Sequence, residues 1–252
     1  MRVLVLGGTG EARQLAAQLV ASGHDVVSSL AGRVSRPALP VGDVRIGGFG
    51  GVAGLAAHLC DERVAAVVDA THPFAATISA NAAAACADTG TPLLRLQRAG
   101  WERHPRAGSF DWVDDVDSAR ERAELHGIRP FLTTGRQQLD AFVRWDDRYV
   151  LARVVDPPEW GVPASWEVRC ARGPFTYAAE RALMADRRVD VLVTKDSGGA
   201  LTEAKLDVAT DLDVPVVVVR RPPVPVGVPV VEEAAAATAW VADLSVEGAG
   251  RG

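Results

Sequence analysis

A recurring unit restricts this chain more than any other feature: a short unbroken aliphatic run, a turn rich in glycine or hydroxyl residues, then an alanine-rich run of helical length. Unbroken apolar strands suit parallel sheets covered by helices on both faces, whereas a sheet wetted on one face alternates. Strands are expected at Val3–Leu6, His24–Ser29, Asp43–Ile46, Val64–Asp69 and Pro92–Leu96. Helices are expected at Glu11–Ala21, Val52–Cys60 and Phe74–Ala87. The plan then repeats. Strands are expected at Arg129–Leu132, Tyr149–Val154, Val189–Thr194 and Val214–Val219, and helices at Gln137–Val143, Tyr177–Ala185 and Thr202–Leu212.

Both halves end alike. Pro92–Arg98 echoes Pro215–Arg221, and each is followed by a loop, a short strand (Phe110–Val113; Val228–Val231), an acidic helix start and an alanine-containing helix. The expected fold class is therefore α/β, with two Rossmann-like doubly wound lobes, mainly parallel sheets and a ligand cleft between them. The expected domains are residues 1–127 and 128–252. The proline-rich stretch Pro222–Gly227 can continue neither strand nor helix and reads as a connector.

Composition excludes several classes. A formal net charge of −5 argues against nucleic acid as the default partner, and any anionic ligand must then be met by local cations. The first apolar run is too short for a signal-peptide core, and no stretch approaches the ~20 apolar residues of a membrane span. A cytoplasmic location with no membrane contact is expected. Cys60, Cys86 and Cys170 are odd in number and widely spaced, which suits buried thiols better than a disulfide framework, and no compact metal-ligand set stands out.

The first strand runs into Gly7, Gly8, Thr9 and Gly10, then Glu11 opens the first helix. Glycines let backbone approach a diphosphate, and helix-start N–H groups stabilise the anion. The match to G-x-G-x-x-G is incomplete, because Arg13 stands where the third glycine would be. At the edge of the second strand, Ser29, Gly32 and Arg33 replace the acid that takes the ribose hydroxyls in NAD-binding proteins, so a 2′-phosphate and hence NADPH/NADP+ is the expected cofactor.

Ligands in open α/β sheets lie beyond the carboxyl ends of strands, and three more loops stand there. Asp69, Ala70, Thr71, His72, Pro73 and Phe74 link a buried strand to a helix. His72 either donates a proton or is satisfied locally while Thr71 or Asp69 caps the helix. Thr133, Thr134, Gly135 and Arg136 suit an anion or a helix cap. Lys195, Asp196, Ser197, Gly198 and Gly199 carry the densest chemistry, since a lysine between an apolar strand and paired glycines is poorly placed for mere solubility.

Together, Leu6–Ala12, Ser29–Arg33, Asp69–Ala75, Leu132–Gly135 and Thr194–Gly199, with Lys205 and Pro215–Val219, resemble the precorrin-6A reductase family of cobalamin biosynthesis over nearly the whole chain. The resemblance implies NADPH-dependent reduction of one double bond of the precorrin-6A macrocycle to give precorrin-6B. With it, Gly7, Gly8, Thr9, Gly10, Glu11, Ser29, Gly32, Arg33, Thr71, His72 and Pro73 become the expected cofactor contacts. Phe74, Arg98, Thr134, Gly135, Arg136, Lys195, Asp196, Ser197, Gly198 and Gly199 become the expected substrate contacts. Lys195 and His72 are the expected catalytic residues, with solvent as a third source of the proton. The anionic tetrapyrrole is the expected partner, alongside transient contact with neighbouring pathway enzymes. Arg95, Lys205, Arg220 and Arg221 join Arg98, Arg136 and Lys195 as cations available to its carboxylates.

Two rivals remain at this level. A cofactor-sensing module would bind NADP(H) without turnover. A short-chain dehydrogenase or epimerase would need Tyr-x-x-x-Lys, but Arg153 and Arg181 stand four residues after Tyr149 and Tyr177. If Arg33 reads the 2′-phosphate, NADPH should bind at least about tenfold tighter than NADH, and Arg33→Ala should erase most of that preference. Equal affinities in a titration would reject the assignment.

Overall fold

The computed structural model describes residues 1–32 and 38–249. Twelve strands among these residues form two six-stranded sheets, and every strand pairing is parallel. The α/β class read from the unbroken apolar runs is the one observed.

The first sheet is built from β1 (Arg2–Leu6), β2 (Asp25–Leu30), β3 (Asp43–Ile46), β4 (Ala66–Asp69), β5 (Leu93–Leu96) and β12 (Val230–Val231). Their spatial order is β12-β5-β4-β1-β2-β3. The order of strands reverses beside β1, which leaves the turns after β1 and β4 side by side at the carboxyl edge. Three of its helices are α1 (Gly10–Ala21), α2 (Gly51–Asp61) and α3 (Ala76–Thr89). Helix α1 buries Ala12, Leu15, Ala16 and Leu19, spaced so that all four share one face. Helix α3 stops at Gly90, which takes a left-handed conformation at φ 69°.

The second sheet follows the same plan. Strands β7 (Pro130–Thr133), β8 (Val150–Val154), β9 (Trp166–Cys170), β10 (Val191–Lys195) and β11 (Val216–Val219) are joined by β6 (Asp111–Val113) in the order β6-β11-β10-β7-β8-β9. Here the reversal lies beside β7, so the turns after β7 and β10 correspond to those after β1 and β4. Helices α4 (Val116–Glu124), α5 (Tyr177–Arg187) and α6 (Ala204–Asp211) belong to this unit.

The expected division at residue 127/128 is displaced. One compact unit is Met1–Arg98 with the segment from Pro222 on, and the other is Ala99–Arg221. The sequence echo suggested that each half keeps its own short last strand, but the pairing is the reverse. β6 bonds to β11, and β12 bonds to β5, where Arg95 N–H donates to Pro229 O and Gln97 N–H to Val231 O, each within 3.0 Å. The last helix, α7 (Ala234–Ala249), likewise serves the first unit, burying Ala234, Ala237 and Val241 against α1 and β5 residues.

Three local expectations are corrected. Gln137–Val143 was expected as an α-helix. Arg136–Phe142 is instead a 3₁₀ run, which places Leu139 and Phe142 three residues apart on its buried side. Pro73 was expected in the first turn of a helix, yet α3 begins only at Ala76 and has no side-chain cap. β9 was not anticipated, because an edge strand wetted along part of its length lacks the apolar run that marks the others.

Because α7 follows the second unit in sequence but supports the first, Val241→Ala should cost about 2 kcal/mol. In a chain of this size that lowers Tm by roughly 4–8 °C. Unchanged thermal unfolding would deny α7 that role.

Candidate functional site

At the carboxyl edge of the first sheet, the turn after β1 is held open. Gly7 N–H donates to Ser29 O at 2.9 Å, tying the turn to β2. Gly8 has φ 113°, and a Cβ built on it meets nothing within 4 Å, so the position combines a glycine-only backbone with free space beside it. Thr9 caps α1, its hydroxyl accepting from Ala12 N–H at 3.1 Å and donating to Ala70 O at 2.7 Å. One buried hydroxyl thereby locks the glycine turn to the loop after β4. The first N–H groups of α1, which no helical carbonyl can satisfy, belong to this turn.

The loop after β4 is shaped by a buried ion pair. Asp69 and Arg95 are opposite each other in the β4–β5 register, 2.7 Å apart, with side chains 3% exposed each. Asp69 Oδ1 also accepts from the N–H and the hydroxyl of Thr71, so it closes a tight turn rather than capping α3. Arg95 further donates to Thr71 Oγ1, Thr71 O, Ser79 Oγ and Gln97 Oε1. Arg95 is therefore withdrawn from the cations available to substrate, because its guanidinium is consumed inside the unit. The signal was present in the sequence: an arginine within the apolar strand Leu93–Leu96 requires a buried partner.

The same loop carries the exposed His72, whose Nδ1 accepts from Phe74 N–H at 3.2 Å. Pro73 is buried and Phe74 half-buried, its ring centroid 5.9 Å from that of His72. A shallow crevice is lined by Thr9, Glu11, Thr71, Pro73, Leu96, Gln97 and Arg98. Within it Arg98 Nη1 donates to Glu11 Oε2 at 2.9 Å, so an expected substrate contact and an expected cofactor contact are paired with each other. Ser29 is buried at the end of β2, and Gly32 follows at φ 72°. Arg33 lies outside the described residues.

Sequence reasoning passed over Gly47–Gly51, which starts after β3 at the same sheet edge. Gly47 N–H donates to Leu30 O at 2.8 Å, and the Arg45 guanidinium binds the carbonyls of Gly47 and Gly48 while lying 3.9 Å over the Phe49 ring. Four glycines in five residues after a strand were the available signal.

In the second unit, Thr134 follows β7. It is 2% exposed, and its hydroxyl has no hydrogen-bond partner among the described residues. Gly135 has φ 84°, and Arg136 reaches Pro157 O and Glu159 at 3.4–3.5 Å. Lys195 ends β10, and burial lowers its pKa to about 8. Ser197 N–H folds back onto Lys195 O at 2.6 Å, followed by Gly198 at φ 64° and Gly199 at φ 83°.

Asp196 is 2% exposed and accepts from Trp101 N–H and from the Arg221 guanidinium, so neither Asp196 nor Arg221 stands ready for a ligand carboxylate. Lys205 is also withdrawn from that set. It is 2% exposed, donates to Thr202 O at 2.6 Å, lies 4.2 Å from the Trp101 ring centroid, and burial holds its pKa near 7. Arg220 pairs with Glu102 at 3.0 Å.

The dehydrogenase alternative fails on its tyrosines. Tyr149 donates to Glu167, and burial with that carboxylate pushes its pKa up to about 12. Arg153 is in a buried pair with Glu180, and Tyr177 donates to Asp211.

A model of the family described as "Precorrin-6x reductase CbiJ/CobK" matches residues 2–242. The chain belongs to this family. A curated relative from Rhodococcus erythropolis, named Precorrin-6A reductase, is 51% identical over 97% of this chain and 98% of its own length. One of the same name from Mycobacterium tuberculosis is 48% identical over 96% of this chain and 98% of its own length. A solved structure titled "CobK precorrin-6A reductase" superposes with a TM-score of 0.88 at 41% identity, covering 97% of both chains. The family's two-sheet frame thus extends across both units described here.

Removing Arg95 strands a buried carboxylate. Arg95→Met should cost about 3–5 kcal/mol in urea unfolding. The double variant Asp69→Asn/Arg95→Met should lose less, since no buried charge is left alone. A double-variant loss equal to the sum of the Arg95→Met and Asp69→Asn losses would show that the pair carries no coupling.

Proposed function

We propose that this chain is an NADPH-dependent reductase that saturates one double bond of the precorrin-6A macrocycle to give precorrin-6B, in cobalamin biosynthesis. The observation that carries the reading is identity of about half, over nearly full length on both sides, to curated precorrin-6A reductases. The first unit fits a dinucleotide on its own geometry. Gly8 leaves room for close approach, the start of α1 faces the turn, and Thr9 holds that turn in shape. We assign the diphosphate to the N–H groups of Gly8, Gly10 and Glu11, the 2′-phosphate to Ser29, Gly32 and Arg33, and the nicotinamide end to Thr71, His72 and Pro73.

NADPH, when bound, supplies a hydride; the protein's part is alignment, charge and proton supply. The buried Asp69–Arg95 pair anchors the start of the Thr71–Pro73 loop through the hydroxyl and carbonyl of Thr71. In the second unit, Thr134 Oγ1 offers a buried hydroxyl, and the Gly135 and Gly198–Gly199 turns offer backbone N–H groups to substrate carboxylates. Arg136, Ser197, Phe74 and Arg98 complete the proposed substrate contacts. Lys195 is the favoured proton donor, because a half-buried ammonium close to neutrality releases its proton readily. His72, exposed and on the cofactor loop, is the second candidate.

Among the described residues no helix is long and apolar enough to cross a membrane. A cytoplasmic location, with the tetrapyrrole received from and passed to neighbouring pathway enzymes by transient contact, completes the reading.

Incubation with precorrin-6A and NADPH should consume cofactor absorbance and raise the product mass by two hydrogens. Binding without turnover would favour the sensing module. The protonated form of Lys195 prevails below about pH 8. Turnover should therefore hold steady below that value and decline as pH rises through it. Lys195→Arg, which stays protonated, should lose the decline, and Lys195→Ala should lower turnover while leaving NADPH affinity largely unchanged. A wild-type decline that survives in Lys195→Arg would remove Lys195 as the donor.

A further inference from the structure

The turn that carries Lys195 is bolted to two distant parts of its unit, and every bolt meets at Asp196. The Asp196 backbone N–H donates to Val219 O at 2.8 Å, which ties the turn to β11. Its carboxylate accepts from Trp101 N–H at 2.7 Å, and from Arg221 Nε at 2.9 Å and Nη2 at 3.1 Å. Trp101 and Arg221 are not arbitrary neighbours. Trp101 stands just after the chain first leaves the first unit at Arg98, and Arg221 is the last residue before it returns at Pro222.

Two glycines make room for this cluster. A Cβ on Gly100 would lie 2.7 Å from Asp196 Oδ2 and 2.9 Å from Arg221 Nη2. One on Gly198 would lie 2.1 Å from Ala99 O and 3.1 Å from the same guanidinium nitrogen. The Arg221 head is therefore close to the backbone of both segments. Gly198, buried and left-handed, is pressed against the first crossing. The far side of Trp101 is supported by Lys205, whose Nζ lies over the indole and donates to Thr202 O, at the end of the same loop.

An aspartate 2% exposed with a bidentate arginine and a backbone N–H on its oxygens has little left to offer a ligand. We propose that Asp196 is a positioning residue: it fastens the Lys195–Gly199 turn to both chain crossings through Trp101 and Arg221, and so sets the place of Lys195 for the reaction. This deepens the reductase reading and rests on it for the word reaction, while the clamp itself rests on the geometry alone. It also moves Asp196 from the substrate contacts expected from the sequence to a role behind them.

Loss of the clamp is distinguishable from loss of stability. Asp196→Asn keeps shape but weakens the arginine bond. Asp196→Leu/Arg221→Met removes both charges together, which buried pairs often tolerate without loss of stability. Gly198→Ala leaves every charge in place and displaces only the turn. Two measurements are made on the full-length protein.

The first is the pH dependence of Lys195 modification by an amine reagent, read by peptide mass spectrometry, which needs no substrate. With Lys195 freed from its half-buried position, the midpoint should rise from about 8 toward the ordinary lysine range near ~10.4. The second is steady-state reduction of precorrin-6A. Here kcat should fall by about tenfold or more, as misplacement of an aligned group does, while the NADPH Kd stays within about twofold. Wild-type midpoint and kcat in the folded double variant and in Gly198→Ala would overturn the clamp. If the wild-type enzyme fails to reduce precorrin-6A, the functional reading falls. The modification midpoint then still decides whether Asp196 places Lys195.

Discussion

A parallel sheet can be extended only by a strand that arrives through a long crossover, and this chain extends two such sheets with strands that the sequence order would assign the other way round. Strand β12 closes the β5 edge of the first sheet, and β6 closes the β11 edge of the second. Each closure satisfies backbone groups that would otherwise face solvent as a pairing template. The rest follows from it. The chain crosses at Arg98–Ala99 and Arg221–Pro222, α7 packs on a unit it does not adjoin in sequence, and the loops with the densest chemistry lie beside the strand-order reversals at β1 and β7.

Charge placement withholds several arginines of this protein of net charge −5 from an anionic ligand. Arg95, Arg153 and Arg221 are buried or nearly so, each on a carboxylate of its own unit. Burying a charge is costly unless it is paired and hydrogen-bonded, so these residues are bound to their partners by their own desolvation. What they contribute is shape. Arg95 holds the loop after β4 and Arg221 holds the turn after β10, at corresponding places in the two sheets.

Much of this was legible in the residues. Unbroken runs such as Val64–Asp69 and Val214–Val219 announced parallel strands, and Gly7–Gly10 and Thr194–Gly199 announced the two turns, because strand burial and glycine backbone freedom are local properties. Partner choice was not legible. Phe110–Val113 and Val228–Val231 look alike as strings, and only the packing of whole sheets decides which edge each one joins. The same limit applies to charges: Arg95 and Asp196 read as ligand contacts until the register of β4 with β5, and the return of the chain at Arg221, showed what they hold. β9 was missed because Trp166–Cys170 is an edge strand whose far end is wetted, so burial left little trace in its composition.

The interruption of one unit's sequence by the other's has an effect on how the molecule is made. Ala99–Arg221 is continuous, so everything that unit needs has left the ribosome once its last strand emerges. The amino-terminal unit begins first, yet its sixth strand and the helix that buries Ala237 and Val241 are synthesised only after the whole of Ala99–Arg221. Its β5 edge therefore stays uncovered while all of Ala99–Arg221 is made, and of the two units the one that starts earlier is the one that finishes later.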